Sequence, residues 1–467
     1  MKLFDKTPPP VIEVEDDKPK DSFTQDIRDT EYVSGTDEEK KLLLKIDLYL
    51  LPSIWFMYLF SYMDRTNIGN AKVAGMSEDL DLDSAKYSIT LVVFFVGYVV
   101  FEIPSNMLLA RSRPSRFLPT IMFLWGCLTV GMAFVKTYKD LLVYRVIIGC
   151  LEAGFAPGVL MLLSSWYRKE EQSKRFAIYI SASILSGAFG GLMAGAITGT
   201  MDGTYGIAGW RWLFIIEGAM TSAWAVIAAF FLLDFPASTR KLNERERELA
   251  VARISSQYIQ SGTEDTPLLS HSQAFKEAVT NWRTWVFTAG YMVIVGSLTL
   301  SYFYPTLVKG LGYTANEAQY MTVPIYASSF VCTAVTSYFM DKAPDHRGVV
   351  VAGWLSLSMI CSVVTCAVYD FKARYVLLVF IASGLWACNA LALSYSSSTF
   401  GSMPNETRAI ALAIVNALGN LSQIYGSYLF PDEDAPKYIK GFGVISGMCL
   451  IGVIVYIGLH IKLRRGI

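Results

Sequence analysis

Residues 138–167 read YKDLLVYRVIIGCLEAGFAPGVLMLLSSWY, an apolar run long enough to cross a bilayer that nevertheless carries Arg145 and Glu152. A spanning helix needs about 20 apolar residues, and a charge inside one is costly unless it faces a watered cavity or a partner. Seven residues separate the two charges. At 100° per residue they return to within about 20° of each other and about 10 Å along the axis, so both point into one cavity. That gap is too long for mutual neutralisation. Each must meet something else: a charge on another helix, a proton, or a charged solute.

The rest of the chain has the same character. Of its 467 residues, 53% are hydrophobic and 17% charged, and the charges gather between long apolar runs. This excludes an ordinary soluble enzyme and predicts an all-α membrane protein embedded in the lipid bilayer. The formal net charge of +0 gives no reason to expect a nucleic-acid partner. Seven cysteines fall inside apolar runs without paired spacing, which predicts small core residues and no disulfide or metal framework. The first apolar run follows about 45 polar residues, which is not the pattern of a cleavable signal peptide.

Residues 1–45, with TPPP, EVEDDKPKD and GTDEEKK, are expected to form a disordered cytosolic tail. Six apolar segments follow at 46–69, 86–109, 116–135, 139–163, 176–200 and 212–234, forming an N-terminal six-helix bundle over 46–234. A polar linker, 235–283, begins with the helix-forming RKLNERERELAVARI and continues into SGTEDTPLLSHS, which reads as flexible. Six further segments at 284–308, 318–340, 348–368, 374–399, 407–430 and 441–462 form a C-terminal six-helix bundle over 284–463. Arginine concentrates in RSRPSR, YRKEEQSKR and DKAPDHR, whereas the alternate loops are acidic or glycine-rich. That bias places both termini in the cytosol. Two six-span halves joined by a long loop are the pattern of secondary transporters, with the solute site between the halves.

Span one ends in YLFSYMDRTNIGNAKVAGM, and sequential Asp64 and Arg65 point about 100° apart, so they can serve two faces. Proton coupling needs a titratable group in the spans, yet the three histidines sit in loops or at a helix end. Carboxylates must do it instead. Burial and a neighbouring guanidinium pull a carboxyl in opposite directions, so an anion arriving on the arginine releases the carboxylate to take a proton. Asp64, Glu152, Arg65 and Arg145 are the parts of such a device. A permanent Arg65–Glu152 ion pair is the competing reading of Glu152. Glu102, followed by Pro104, is read as a static or gate-forming salt bridge, and Glu217 as similar, with Arg211 too far around the helix to be its partner. The glycines and alanines of SASILSGAFGGLMAGAITGT are read as close helix packing. In the second half polarity comes from uncharged groups, among them Tyr291, Asn389, Tyr395 and Asn416, which suit the non-ionic part of a ligand.

The segments DRTNIGNA, FEIPSNMLL, YRVIIGCLEAGFAPGVLMLLSSWY, GWRWLFIIEG and YGSYLFPDEDAPKYIKGF, in that order, resemble the fungal allantoate permease branch of the anion:cation symporters in the major facilitator superfamily. The resemblance implies the twelve-helix fold and proton-coupled uptake of organic anions such as allantoate, nicotinate, pantothenate or biotin. It also implies that Asp64, Arg65, Arg145 and Glu152 carry coupling and carboxylate binding; with the proton on Asp64 and Glu152, Arg65 and Arg145 are read as the solute's anion partners, and the uncharged Asn67, Tyr291, Asn389, Tyr395 and Asn416 as further solute contacts. The usual GxxxDRxGRR loop between spans two and three is degraded to ARSRPSR, while MDKAPDHRG between spans eight and nine keeps more of it, with Asp341 and Arg347 as gate residues alongside Glu102. Span five lacks the proline-containing motif of drug/proton antiporters.

The expectation is therefore a monomeric plasma-membrane importer of a small organic anion, driven by protons and needing no cofactor or metal. It is a carrier and not an enzyme. A facilitator or exchanger without proton coupling, and a nutrient sensor, are the alternatives.

Overall fold

Helix starts are set by capping. In the computed structural model, which describes residues 35–110, 112–260 and 271–465, the first helix begins at Asp37. The Thr36 side chain accepts from Glu39 N at 3.3 Å, and the Glu39 carboxylate accepts from Gly35 N at 2.7 Å. This corrects the tail expected over 1–45: the helix starts nine residues earlier than the expected first span, because the charged turn 37–41 and the short leucine run 42–44, with Leu42 buried, extend span one. Residues 1–34 and 261–270, including most of SGTEDTPLLSHS, lie outside the described residues. Thr137 with Asp140 and Thr314 with Glu317 form capping boxes that start spans four and eight.

Among the described residues twelve helical segments are long and apolar enough to cross a membrane, as the sequence predicts. Spans one to six are Asp37–Asp79, Ser84–Leu109, Pro114–Met132, Tyr138–Trp166, Lys174–Met201 and Gly209–Phe231. Spans seven to twelve are Trp282–Gly310, Ala315–Lys342, Pro344–Ala367, Phe371–Thr399, Glu406–Gly426 and Ile439–Arg464. Within the first six, span one packs on five and six, two on four, and three on six. Within the second six, span nine packs on ten and twelve, eight on ten, and seven on eleven. Between the bundles, span five lies on span eight and span two on span eleven.

The linker helix Glu244–Gln260 is tied to the first bundle. Arg253, fully buried, donates to Glu39 at 2.7 Å and also pairs with Glu171, while Lys45 Nζ pairs with Glu246 at 2.8 Å. A second short helix, His271–Thr280, packs on span eleven, where Thr407 Oγ1 donates to Glu277 at 3.0 Å. The linker thus marks one face of the protein, here called the linker side.

Several spans are broken near their middle. Span four stops at Glu152 and resumes at Phe155. Pro157 cannot donate to the Ala153 carbonyl, and a Cβ on Gly154 would collide with the Ser105 side chain. Span seven passes through a tight 3₁₀ stretch, Thr299–Phe303, ahead of Pro305, and span eleven is interrupted between Leu421 and Gln423. Span one ends in a π-turn, Lys72–Met76, where Gly75 adopts φ 108°, a value only glycine takes easily.

The glycines of span five have a definite partner. Gly187, Gly191 and Gly195, four residues apart, face Tyr326, Thr322 and Tyr320 of span eight, and a Cβ at Gly195 would sit 2.7 Å from the Tyr320 ring. The close packing expected there is packing between bundles.

Candidate functional site

Span one delivers Asp64 and Arg65 to opposite neighbours, as their 100° offset requires. Arg65 turns toward span four: its Nε donates to Glu152 Oε1 at 2.7 Å, and Ser61, one turn earlier on the same face, donates to the same oxygen. Arg65 and Glu152 are 6% and 1% exposed, so this is a buried ion pair and not an interfacial cap. Its geometry is single-pronged. Arg65 Nη2 and Glu152 Oε2 have no hydrogen-bond partner among the described residues.

Aromatic rings wall the pair in. The Arg65 guanidinium lies 5.0 Å from the Tyr62 ring, 4.9 Å from Tyr98 and 5.5 Å from Phe94. Arg145 lies 4.7 Å from the same Phe94 ring, so the two cations share one face-forming side chain. Arg145 is 2% exposed and its Nε donates to the Thr90 carbonyl at 3.4 Å; it forms no ion pair among the described residues. From the second bundle, Tyr302 comes within electrostatic reach of both guanidiniums and packs 6.1 Å from Phe95. Its hydroxyl donates to Gln423 Oε1 at 3.3 Å.

Asp64 turns the other way. Its Oδ2 accepts from Trp125 Nε1 of span three at 3.2 Å and from Thr221 Oγ1 of span six at 3.0 Å. No cation bonds to it among the described residues, so it is set apart from the Arg65–Glu152 pair.

The remaining expected residues divide. Asn67 is fully buried and neither amide atom has a partner among the described residues. Tyr291 is buried against Gly419 of span eleven, and Asn389 Oδ1 is buried without a described partner. Asn416 is half-buried. Tyr395 lies near the linker-side end of span ten, stacked edge-on at 5.1 Å with Phe287, well removed from Arg65. Asp341 and Arg347 do meet, at 3.9 Å, and Arg347 also donates to Ser398 Oγ at 3.0 Å, but all three belong to the second bundle. The salt bridge expected at Glu102 is not formed among the described residues: the residue is half-buried on a largely exposed face of span two, with no cation in bonding range. Glu217 likewise has no described partner for either oxygen. Sequence reasoning missed Ser61, Phe94, Tyr98, Trp125, Thr221 and Tyr302. The i, i+4 spacing of Ser61 with Arg65 and of Phe94 with Tyr98 is the signal that could have found three of these residues.

The hydrogen bonds that cross between bundles lie, among the described residues, on the side away from the linker. Lys72 Nζ pairs with Asp432 at 2.8 and 3.0 Å, Tyr87 OH donates to the Tyr302 carbonyl at 3.2 Å, and Ser88 Oγ to the Ser427 carbonyl at 2.7 Å. Thr198 Oγ1 bonds Asn316 and Gln319, each at 2.8 Å, and Gln319 reaches the Asn70 carbonyl at 3.3 Å. The protein is therefore sealed on that side. A cavity of about 530 Å³ opens instead at the linker side of the second bundle, between Glu277, Trp282, Pro404 and Thr407, away from the charged cluster.

Residues 54–427 match the Major Facilitator Superfamily. The chain is 35% identical over 445 residues to the MFS transporter prlL of a fungal species, covering 91% of this chain and 87% of that protein. It is 30% identical over 414 residues to the high-affinity nicotinic acid transporter of Saccharomyces cerevisiae, covering 87% and 74%. Among solved structures it is similar to a bacterial homologue of the lysosomal transporter Spinster (TM-score 0.71, 16% identity, 89% of this chain and 97% of that one). It is also similar to a D-xylose–proton symporter (TM-score 0.64, 16% identity, 88% and 97%).

Proposed function

The chain belongs to the major facilitator superfamily and is a multi-pass transporter of small molecules, and from that premise we propose that it imports a small organic anion together with protons. The carrying observation is the charge balance of the central cluster. Two guanidiniums, Arg65 and Arg145, share the Phe94 ring, and among the described residues only Glu152 pairs with either of them. One positive charge is left over. Buried away from water, that surplus favours a solute carboxylate, which the planar fork of arginine grips in two-point fashion. Arg65 Nη2 supplies a free donor for it.

The coupling follows from competition for Arg65. A carboxylate solute drawn onto the guanidinium loosens its hold on Glu152, whose carboxylate then takes a proton instead of remaining a buried, unpaired charge. Solute and proton cross together. The nicotinic acid transporter among its relatives supports a small carboxylate such as nicotinate, with pantothenate and allantoate in the same class. The arginine-rich loops support a cytosolic linker side in this reading, with uptake across the plasma membrane.

The test is uptake of a labelled carboxylate panel by transport-deficient yeast cells expressing the protein, at acidic and mildly alkaline pH, with and without a protonophore. Acid-stimulated, protonophore-sensitive accumulation of one member is the expected result. Protonophore-insensitive equilibration of a carboxylate would leave an anion facilitator and overturn the coupling. Accumulation of uncharged solutes but of no carboxylate would overturn the substrate class.

A further inference from the structure

The mechanism above leaves Glu217 unused. It sits in mid-span six, 1% exposed, and neither of its carboxyl oxygens has a hydrogen-bond partner among the described residues. Its direction is fixed by its neighbour. Thr221 lies one turn further on the same helix face, and Thr221 Oγ1 donates to Asp64 Oδ2 at 3.0 Å, so the Glu217 face of span six looks onto Asp64. Asp64 Oδ1 is also buried and without a described partner. Two carboxyls thus share an enclosure between spans one, three and six.

No cation enters it among the described residues. Asp64 is the charged group acting on Glu217, while Glu152 and Arg145 act on Asp64 from the other side of span one. Arg65 points to Glu152. On span six itself, Arg211 donates to the Ala133 and Val135 carbonyls at its far end. From span three the facing group is the Trp125 indole N–H, and Arg116 lies in that span's first turn. Glu171, in the helical turn that precedes span five, and Lys174 and Arg175, in its first turn, lie at the linker-side end, where Arg175 pairs with Asp47 at 2.7 Å. Two carboxylates enclosed in this way cannot both be ionised without a counter-charge.

We propose that Asp64 and Glu217 form a second proton-binding site, in which one proton is held between the two carboxyls and which is separate from the Arg65–Glu152 pair. The Trp125 and Thr221 donors fix Asp64 Oδ2 as the acceptor end, leaving Asp64 Oδ1 and the Glu217 oxygens to share the proton. Such a pair titrates as a unit. Its role in moving protons with the solute rests on the coupled-import reading; its existence does not.

The experiment is infrared difference spectroscopy of the purified full-length protein in lipid, titrated with acid and base and exchanged into heavy water, following the protonated-carboxyl stretch. Glu217→Gln and Asp64→Asn are each expected to remove the same band component, and Glu217→Asp to keep it with its proton affinity shifted about tenfold or more. Elution as a single folded species in detergent keeps the variants comparable. A band unchanged in both variants, or two components lost independently, would overturn the shared site. If wild-type accumulation ignores a protonophore while both variants still lose one common component, the coupling reading falls and the site stands.

Discussion

Replacing Asp432 by Asn should loosen the seal on the side away from the linker. Lys72, at the end of span one, meets Asp432, in the loop between spans eleven and twelve, at 2.8 and 3.0 Å, and lies 4.5 Å from the Tyr87 ring. The Lys72 side chain is 7% exposed and that of Asp432 44%. A hydrogen bond to a charged group contributes about 1.5–3 kcal/mol net, and the exposed carboxylate pulls this toward the lower end, about 1–2 kcal/mol. Alternating access must open this contact, so its loss disfavours only the sealed state. At 1.4 kcal/mol per factor of ten, the sealed fraction should fall about 5- to 30-fold relative to the open one. Asn keeps the size, and the Asp432 backbone N–H retains its 2.7 Å bond to Ser84 Oγ, so folding is preserved. Spin labels at exposed Glu78 and Glu433, in a background without native cysteines, report the separation as a distance distribution. Asp432→Asn should enrich the longer distance, and the exchanged pair Lys72→Asp with Asp432→Lys should reverse part of the change. Identical distributions in wild type, single variant and exchanged pair would refute the assignment of this contact as a seal.

Arg145→Lys replaces a fork stacked on Phe94 by a point charge, and half-saturation of uptake for the carried anion should rise about tenfold; an unchanged value would remove Arg145 from solute contact. Gly187→Ala drives a methyl into the Tyr326 ring, and overpacking of this kind costs about 1–3 kcal/mol, so the same spin labels should show the sealed state depleted; wild-type distances would mean that span five yields there. On the linker helix, partial burial pushes the Glu246 pKa up, but the Lys45 ammonium and the Asn243 N–H outweigh it and hold the carboxyl below its ordinary value. A depressed folded pKa stabilises the docked helix above the unfolded value, and that contribution is lost as pH falls through the folded one. Protection of residues 244–253 against hydrogen exchange, after division by the intrinsic amide exchange rate at each pH, should therefore fall on acidification in wild type and lose this pH dependence in Glu246→Gln. Equal pH dependence in both would assign the anchoring to Arg253 alone.

Much of this arrangement was legible because apolar length and helical offset are local quantities. Twelve runs of sufficient length imply twelve spans, and the 100° between Asp64 and Arg65 already implied two environments, which proved to be spans three and six for one and span four for the other. The helical start at Asp37 was hidden because residues 37–41 are charged and the leucines 42–44 form only a short apolar run before Lys45; the stretch is helical through capping by Thr36 and through ion pairs to a linker some two hundred residues away, such as Lys45 with Glu246. Glu102 was expected to find a cation because buried carboxylates usually do, yet it is only half-buried and does without one. The Lys72–Asp432 contact joins residues 360 apart, and no periodicity carries such a signal. Tyr302 was invisible for a different reason: aromatic residues are common in every span, and what distinguishes this one, as it does the i, i+4 pair Phe94 and Tyr98, is the guanidinium it faces.

The seal and the charged cluster are joined through Tyr302. Its side chain lies within reach of Arg65 and Arg145, and its carbonyl accepts from Tyr87, whose ring carries Lys72, the cationic half of the seal. Tyr302 sits in the 3₁₀ stretch that interrupts span seven, and its hydroxyl meets Gln423, just past the break in span eleven. Interrupted helices expose backbone groups that need partners, so these breaks can persist only where side chains from neighbouring spans satisfy them. The contacts that support the breaks are therefore the ones that border the charged cluster and the seal. A change of charge at Arg65 alters the field at the Tyr302 side chain, and a shift of the Tyr302 backbone would disturb the bond from Tyr87. Spatial contiguity alone does not establish coupling. Here it is joined to a contact that transport must break, which gives the site a physical means of biasing the seal.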